Sequence, residues 1–154
     1  MKKHISFFIF CFLALNPVFS QDLKYVTSVE GKQKNTSPYS LAVWAGDFCY
    51  LAGQLGTDPK TGKTPSDLKE EIDLTMKALQ AILKSQKLDF KDVVKTTVYL
   101  TDVKDFATMN EVYRSYFPEG NFPARETVQV SGLVRDARVE ISMTAFKKQK
   151  KRNK

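Results

Sequence analysis

The chain has 154 residues, with 24 lysine and arginine residues, 17 acidic residues and a formal net charge of +7. This length allows one domain with a sizeable core. The two ends carry much of the positive charge, since two basic residues precede residue 4 and six follow residue 146, which leaves 16 basic against 17 acidic residues between them. The charge therefore does not indicate a nucleic-acid-binding face, and no nucleic-acid partner is expected.

The first twenty residues predict a secretory signal peptide. Two lysines precede an apolar run at 5–15, and residues acceptable to a signal peptidase follow up to Ser20. We expect cleavage before Gln21 and export of the protein, with the periplasm as its location. A retained membrane segment is the alternative, but the apolar run is too short to span a bilayer. Cys11 lacks the small preceding residue expected of a lipidated cysteine.

Cleavage changes the chemical inventory of the mature chain. It removes His4, which is the single histidine, and Cys11, so that Cys49 is the one cysteine left. An intrachain disulfide is then impossible, and a zinc or copper site is not expected. Mechanisms of the Ser-His-Asp or Cys-His type are excluded. Carboxylates, arginine, lysine, tyrosine and backbone groups remain as candidates for chemistry.

The first part of the mature chain predicts β-structure. A short strand is expected at 24–28, followed by a polar loop. Two β-rich runs at 41–45 and 48–52, joined by Gly-Asp, predict a hairpin. A loop with turn-forming residues follows at 56–65.

The first helix is predicted from about Ser66 to Lys84. Ser66 is a suitable N-cap, and acidic residues favour the positive end of the helix dipole: Asp67, Glu70 and Glu71. Apolar residues recur at helical spacing along one stripe: Leu68, Ile72, Met76, Leu79 and Leu83. This stripe predicts packing against a sheet rather than a cofactor site.

The second half predicts a strand, a helix and two further strands. The strand lies at 93–100, and Asp102 or Asp105 is expected to cap an amphipathic helix. Asn110 lies beside the apolar face of that helix, where its amide needs partners. The last strands are expected to begin at Arg125 and Arg138, with a turn between them.

These elements predict an α+β fold in which two helices cover one face of a mixed sheet. Apolar residues on the opposite face have nothing else in the chain to cover them. A homo-oligomer that buries this face is therefore expected.

Two charged side chains near the end of the domain are candidates for chemistry. Arg125 follows a Pro-Ala turn, and its guanidinium could hold a small carboxylate through two parallel hydrogen bonds. Glu140 lies on what we expect to be the neighbouring strand, where its carboxylate could direct a water molecule at the ligand. The alternatives are an exposed ion pair for Arg125 and a solvated strand position for Glu140.

Further candidates for ligand contacts are polar residues beside apolar runs. They are Tyr39, Gln54, Asn110 and Thr127. The alternative for each of them is a structural role in which its polar group is satisfied within the fold.

Several segments resemble one known family, in its order and spacing. They are SPYS at 37–40, GQ at 53–54, DPKTG at 58–62, VVKTTVYL at 93–100, DFATMN at 105–110 and FPAR at 122–125. The family is the reactive intermediate deaminase A family, also called the YjgF/YER057c/UK114 family. The resemblance covers roughly residues 24 to 146.

The resemblance implies a chorismate-mutase-like fold and a homotrimer whose sheets form a central barrel, with sites in the clefts between subunits. It implies hydrolysis of 2-aminoacrylate and related enamines or imines to 2-keto acids and ammonia, without metal or cofactor. By this resemblance Arg125 binds the substrate carboxylate and Glu140 positions the water. Tyr39 lies near the mouth of the site, and Asn110 is the asparagine of the second helix.

The chain departs from the family pattern at three positions. Ala52 stands where a serine commonly precedes Gly-Gln, Thr127 stands where cysteine is frequent, and Ala78 where asparagine is frequent. Thr127 keeps a hydrogen-bonding group but lacks a thiol. The departures concern substrate range and rate more than the class of reaction.

We therefore predict one domain at 21–146 that deaminates small 2-enamine and 2-imine acids as a homotrimer. An exported, non-catalytic trimer that binds small carboxylates in the same clefts is the alternative. The basic tail at 147–154 is a candidate for contact with anionic surfaces, although a solvated, disordered tail is the favoured interpretation.

Overall fold

The computed structural model describes residues 23–29, 36–117 and 120–147. The strands are β1 (Leu23–Val26), β2 (Ala42–Ala45), β3 (Phe48–Leu55), β4 (Val93–Leu100), β5 (Ala124–Gln129) and β6 (Val139–Phe146). The α-helices are α1 (Leu68–Ser85) and α2 (Phe106–Ser115), and short 3₁₀ turns lie at Phe90–Asp92, Val103–Asp105 and Val134–Asp136. Within the described ranges, no helix combines the length and apolarity needed to cross a membrane. The predicted signal peptide and the tail beyond Lys147 lie outside these residues.

The strands form one mixed sheet in the order β1-β2-β3-β6-β4-β5. All neighbours are antiparallel except β4 and β5, which run parallel. The predicted hairpin is confirmed, with Ala45 of β2 opposite Phe48 of β3. Gly46 in its turn has a φ of 60°, a conformation that costs glycine little.

This strand order corrects one expectation about the site. Arg125 lies in β5 and Glu140 in β6, but β4 runs between these strands. Sequential strands often pair, yet here the chain from β5 crosses the neighbouring strand before it re-enters the sheet. The carboxylate therefore does not lie on the strand next to the guanidinium.

Helix α1 forms as its apolar stripe predicts, although its start differs from the prediction. Asp67, rather than Ser66, is the N-cap, and its carboxylate accepts a hydrogen bond of 2.8 Å from the amide of Glu70. The stripe is buried against the sheet and contributes the largest part of the core from one element: Leu68, Ile72, Met76, Leu79, Ile82 and Leu83. Glu71 is buried in the same stripe, so it does not serve as an exposed charge for the helix dipole.

The start of α2 also differs from the prediction, because the residue at its N-cap position does not cap the helix with its side chain. Asp105 occupies the N-cap position, but its side chain makes no capping hydrogen bond. Both of its carboxylate oxygens instead accept from the guanidinium of Arg138, in a bidentate ion pair. Asp102 caps the preceding 3₁₀ turn through the amide of Lys104 at 2.9 Å.

The two faces of the sheet differ as expected. Alternate residues of β4 and β6 are buried beneath the helices, including Val98, Leu100 and Ile141. Large apolar side chains on the opposite face remain exposed: Leu23, Tyr25, Phe48, Tyr50, Val128 and Phe146. We call this opposite face, with these residues, the open face. The α+β architecture with helices on one side is confirmed.

Candidate active site

Arg125 projects from β5 onto the helix-covered face of the sheet. It is paired with Thr96 of β4, and paired residues share a face. Thr96 is buried there, with its hydroxyl accepting from that of Tyr113 at 3.1 Å. The guanidinium Nη2 of Arg125 donates to Asn110 Oδ1 at 2.6 Å, which confirms that the amide of α2 finds a partner.

Aromatic rings hold the same guanidinium from α2. Its central carbon lies 4.9 Å from the ring centre of Tyr113 and 5.8 Å from that of Phe106. Both distances are within the range of a cation–π interaction. A cavity of about 340 Å³ opens here, and Asn110, Tyr113 and Arg125 contribute to its lining. We call it the arginine cavity. Its lining also includes a second guanidinium, that of Arg114, and the ring of Phe122, so that it combines positive charge with aromatic surface, which suits a small carboxylate.

Thr127 lies two residues after Arg125 and therefore on the same face of β5. Its Oγ1 is buried and has no hydrogen-bond partner among the described residues. A buried hydroxyl without a partner is uncommon and costs free energy. Thr127 thus has an unused hydrogen-bonding group on the strand that carries Arg125.

Glu140 projects onto the open face, because it pairs with Tyr99 in β4 and alternates with the buried Val139 and Ile141. Burial raises the pKa of its carboxyl above the ordinary value. The carboxylate lies directly over Gly53, where a Cβ atom would overlap Glu140 Oε1. Glycine is therefore required at position 53 for this arrangement.

A second cavity, of about 610 Å³, contains Glu140. We call it the glutamate cavity, and its lining includes Ser37, Tyr39, Gly53, Gln54, Arg135 and Glu140. The Gln54 Nε2 donates to the carbonyls of Ala52 at 3.2 Å and Gly53 at 2.9 Å. The structure thus brings Tyr39 and Gln54 together with Glu140, as it brings Asn110 together with Arg125.

The two cavities lie on opposite faces of the sheet within one chain. Arg125 is level with Thr96 and Glu140 with Tyr99, on strands separated by β4. Two strand spacings and three residues along the strand place their Cα atoms roughly 14 Å apart. A single chain therefore does not direct both groups at one small ligand.

Sequence reasoning missed several residues that shape these cavities. Phe106 and Tyr113 belong to the apolar face of α2, and their rings flank Arg125; Tyr113 is also buried in the core. Glu71 was assigned to the helix dipole, although its spacing from Leu68 and Thr75 places it in the buried stripe. That spacing was the available signal, because an acid at a core position needs a specific partner.

Metal ligation finds no support in the described part of the chain, where no group of three or more His, Cys, Asp or Glu residues could hold an ion. Cys49 is buried in β3, and burial raises the pKa of its thiol to about 11, an effect that Lys24 partly offsets. Its thiol is accordingly protonated at neutral pH and is a poor nucleophile.

The model of the family described as Endoribonuclease L-PSP matches residues 31–147. The chain belongs to this family. Among its relatives, a Mus musculus protein named 2-iminobutanoate/2-iminopropanoate deaminase is 42% identical over 127 residues, which cover 82% of this chain and 93% of the mouse protein.

Solved structures of family members agree with the fold. The YjgF gene product of E. coli has a TM-score of 0.74 at 34% identity, over 81% of this chain and 100% of the E. coli chain. E. coli TdcF with bound serine has a TM-score of 0.74 at 33% identity, over 80% and 99% of the two chains. This agreement confirms the resemblance to the reactive intermediate deaminase A family and the α+β class.

Proposed function

We propose that the protein hydrolyses 2-enamine and 2-imine acids of the 2-aminoacrylate type to 2-keto acids and ammonia, without a cofactor. The observation that carries this proposal is the geometry of Arg125, a guanidinium held by Asn110 and two aromatic rings at the wall of a small cavity. The deaminase name of the mouse relative supports the reaction class.

Arg125 binds the substrate carboxylate in this mechanism. The planar guanidinium can donate two parallel hydrogen bonds to a carboxylate, and the contacts with Asn110 and Tyr113 restrict its orientation before the ligand arrives. Such preorganisation places the imine carbon in a defined position. Thr127 Oγ1, which is buried without a partner on the same face of β5, is the candidate for a further hydrogen bond to the substrate.

Glu140 supplies the carboxylate that orients water. Its oxygen accepts a hydrogen bond from a water molecule, whose oxygen attacks the imine carbon as the proton moves to the carboxylate. That proton then passes to the nitrogen, which gives a tetrahedral intermediate with one hydroxyl and one amino group. The hydroxyl proton moves to the amino group through Glu140, the C–N bond breaks, and ammonia leaves as the C=O bond of the 2-keto acid forms. An enamine substrate enters the same sequence after a proton moves from its nitrogen to its terminal carbon, which converts it to the imine. Positioning worth ~4 kcal/mol would accelerate the reaction about a thousandfold.

The complete site requires a neighbouring subunit. Arg125 and Glu140 lie on opposite faces of one sheet, and the open face carries the exposed apolar residues that oligomerisation would bury. In the homotrimer that the family resemblance implies, the arginine cavity of one subunit meets the glutamate cavity of the next. Tyr39 and Gln54 then contact the ligand from the glutamate side, and Asn110 and Thr127 from the arginine side.

The test is a coupled assay in which a dehydratase generates 2-aminoacrylate and pyruvate formation is followed with and without the protein. Arg125→Ala should abolish the acceleration, because the substrate carboxylate loses its clamp, while the oligomer stays intact by light scattering. Lys69→Ala, which removes an exposed cation paired with Glu111, is the matched control and should retain activity. Wild-type acceleration by Arg125→Ala would show that the site is assigned wrongly.

The second candidate is a binding protein without turnover. TdcF is described with bound serine, a small carboxylate that carries an amino group, and this favours a ligand-binding role for such a cavity. Stabilisation of the protein by 2-keto acids, without any acceleration of pyruvate formation, would support this candidate over the enzyme.

Export of the protein, and contact of the basic tail at 147–154 with anionic surfaces, are proposals that rest on the sequence alone. We propose that the chain reaches the periplasm through its first twenty residues, which N-terminal sequencing of the secreted protein would test.

RNA cleavage, which the family description names, is less favoured. Between residues 5 and 146 the chain has no histidine and 16 basic against 17 acidic residues.

A further inference from the structure

Glu71 is a fully buried acid that the proposed reaction does not use. Its side chain lies in α1 at 0% exposure, beneath the sheet. Burial raises the pKa of its carboxyl above the ordinary value, and the hydrogen bonds that it accepts act in the opposite direction. Its Oε2 has no hydrogen-bond partner among the described residues. A buried acid that is only partly satisfied is costly for the fold, so its presence at a core position calls for a specific role.

The partners of Glu71 are consecutive backbone amides at the start of β6. Glu71 Oε1 accepts from the amide of Arg138 at 2.8 Å and from that of Val139 at 3.1 Å. The next residue is Glu140. Because successive side chains in a strand alternate between faces, fixing the backbone at 138 and 139 fixes the direction in which Glu140 leaves the sheet.

The side chain of Arg138 adds a second restraint at the same point. Its guanidinium is held by Asp105 at the start of α2. The strand that carries Glu140 is thus attached to α1 through its backbone and to α2 through a side chain. Of the two attachments, the one from Glu71 is shielded from water.

The end of β3 packs closely against both Glu71 and Glu140. A Cβ atom on Gly56 would overlap the backbone carbonyl oxygen of Glu71, and a Cβ atom on Gly53 would overlap the carboxylate of Glu140. The segment from 53 to 56 therefore touches the helix at Glu71 on one side and the carboxylate of Glu140 on the other. A shift of β6 relative to α1 would disturb the packing of Glu140 on Gly53.

We propose that Glu71 is a positioning residue for Glu140. By holding Glu140 in place, Glu71 affects the rate of turnover and does not contribute to substrate binding. This inference rests on the proposed function. Arg125 binds the substrate from β5 and is oriented by α2, so its clamp does not depend on Glu71. Loss of the Glu71 hydrogen bonds should therefore lower kcat and leave KM nearly unchanged.

Glu71→Met tests this proposal, since methionine has a similar length but accepts no strong hydrogen bond. We expect kcat to fall by about tenfold or more with KM within about twofold of wild type. Glu71→Gln keeps an oxygen that can accept from both amides and should restore most of kcat. Should Glu71→Met fail to fold, Glu71→Asp draws the carboxylate back by one methylene and should show a smaller loss of kcat.

Leu83→Ala is the control for a merely structural role. Leu83 is buried in the same helix, twelve residues and so roughly 18 Å along it from Glu71, and its truncation should destabilise the core while kcat is retained. Hydrogen exchange provides a readout besides activity: the amides of Arg138 and Val139 should exchange faster in Glu71→Met but not in Leu83→Ala. Equal losses of kcat in Glu71→Met and Leu83→Ala would overturn the proposal.

Two further variants separate this inference from the proposed function. If Glu140→Gln loses activity while Glu71→Met keeps wild-type kcat, the positioning role is wrong and the function stands. If Glu140→Gln and Arg125→Ala both retain wild-type activity, the proposed site is wrong and the positioning role falls with it.

Discussion

At the scale of single residues, the structure prepares Arg125 and Glu140 for their proposed roles by different physical means. Hydrogen bonding and ring contacts orient Arg125, so that the number and direction of its free donors are defined. Glu140 is prepared by its surroundings, since burial raises the pKa of its carboxyl. A raised pKa makes the carboxylate a better proton acceptor.

The pKa of Glu140 predicts the acid limb of the pH profile. Glu140 must be ionised to orient water, so kcat should fall as the pH decreases through the raised pKa, which lies above the ordinary glutamate value of 4.5. Stability should show the opposite trend, because a raised pKa means that the folded state holds the proton more tightly than the unfolded state. The stability of wild type relative to Glu140→Gln should therefore decrease as the pH rises from 4.5 through the folded pKa.

Turnover and thermal unfolding measured across the acid range would check both trends. Glu126→Gln is the control, because Lys95 and Thr97 lower the pKa of that exposed carboxyl and it lies outside both cavities. An acid limb below the ordinary glutamate pKa, or one that Glu126→Gln moves, would contradict the assignment to Glu140.

At the scale of elements, the sequence predicted those helices and turns that interactions between residues close in the chain determine. The hairpin at 41–52 follows from its Gly-Asp turn, and α1 from an apolar stripe at helical spacing. The capping residue was displaced by one position, to Asp67, because Ser and Asp are nearly equivalent caps. The partner of Asp105 was missed, since Arg138 approaches it from a distant part of the chain.

The close contact between β3 and β6 predicts a sharp effect at one glycine. Gly53→Ala would place a methyl group where the carboxylate of Glu140 now lies. The end of that flexible side chain can move aside, so the fold should be retained. A displacement of about 1 Å should nevertheless cost roughly a hundredfold in kcat.

Steady-state kinetics of Gly53→Ala and Gly132→Ala provide the comparison. A Cβ atom on Gly132 meets nothing within 4 Å, so this substitution is a matched control that should retain wild-type kcat. Unchanged turnover in Gly53→Ala would mean that the position of Glu140 over Gly53 is not used in catalysis.

At the scale of the whole molecule, the separation of Arg125 from Glu140 could not be predicted from sequence. Alternation assigns faces within one strand, but relating two strands requires their order and register. Here β4, which precedes both β5 and β6 in the chain, runs between them. The resemblance to a family predicted the residues, and the topology shows that they belong to different sides of the sheet.

Complementation between two inactive variants tests the shared site. Arg125→Ala retains the glutamate cavity and Glu140→Ala retains the arginine cavity. In a cyclic trimer mixed at equal amounts, about a quarter of the interfaces would combine the two intact sides. Mixing by co-refolding should therefore restore about a quarter of wild-type activity.

The same variants, when refolded separately and assayed together without subunit exchange, should stay inactive and provide the control. Absence of any recovery in verified mixed oligomers would show that both groups act within one chain.

Under the proposed mechanism, the sheet that keeps cation and acid on opposite sides would leave an isolated protomer without catalytic activity. Catalysis on this scheme switches on at the moment of assembly, and dilution below the association threshold switches it off again. Each subunit of the proposed trimer would contribute to two clefts, so a single subunit altered on both sides would inactivate two of the three, and a minority of defective subunits would remove a larger share of the activity.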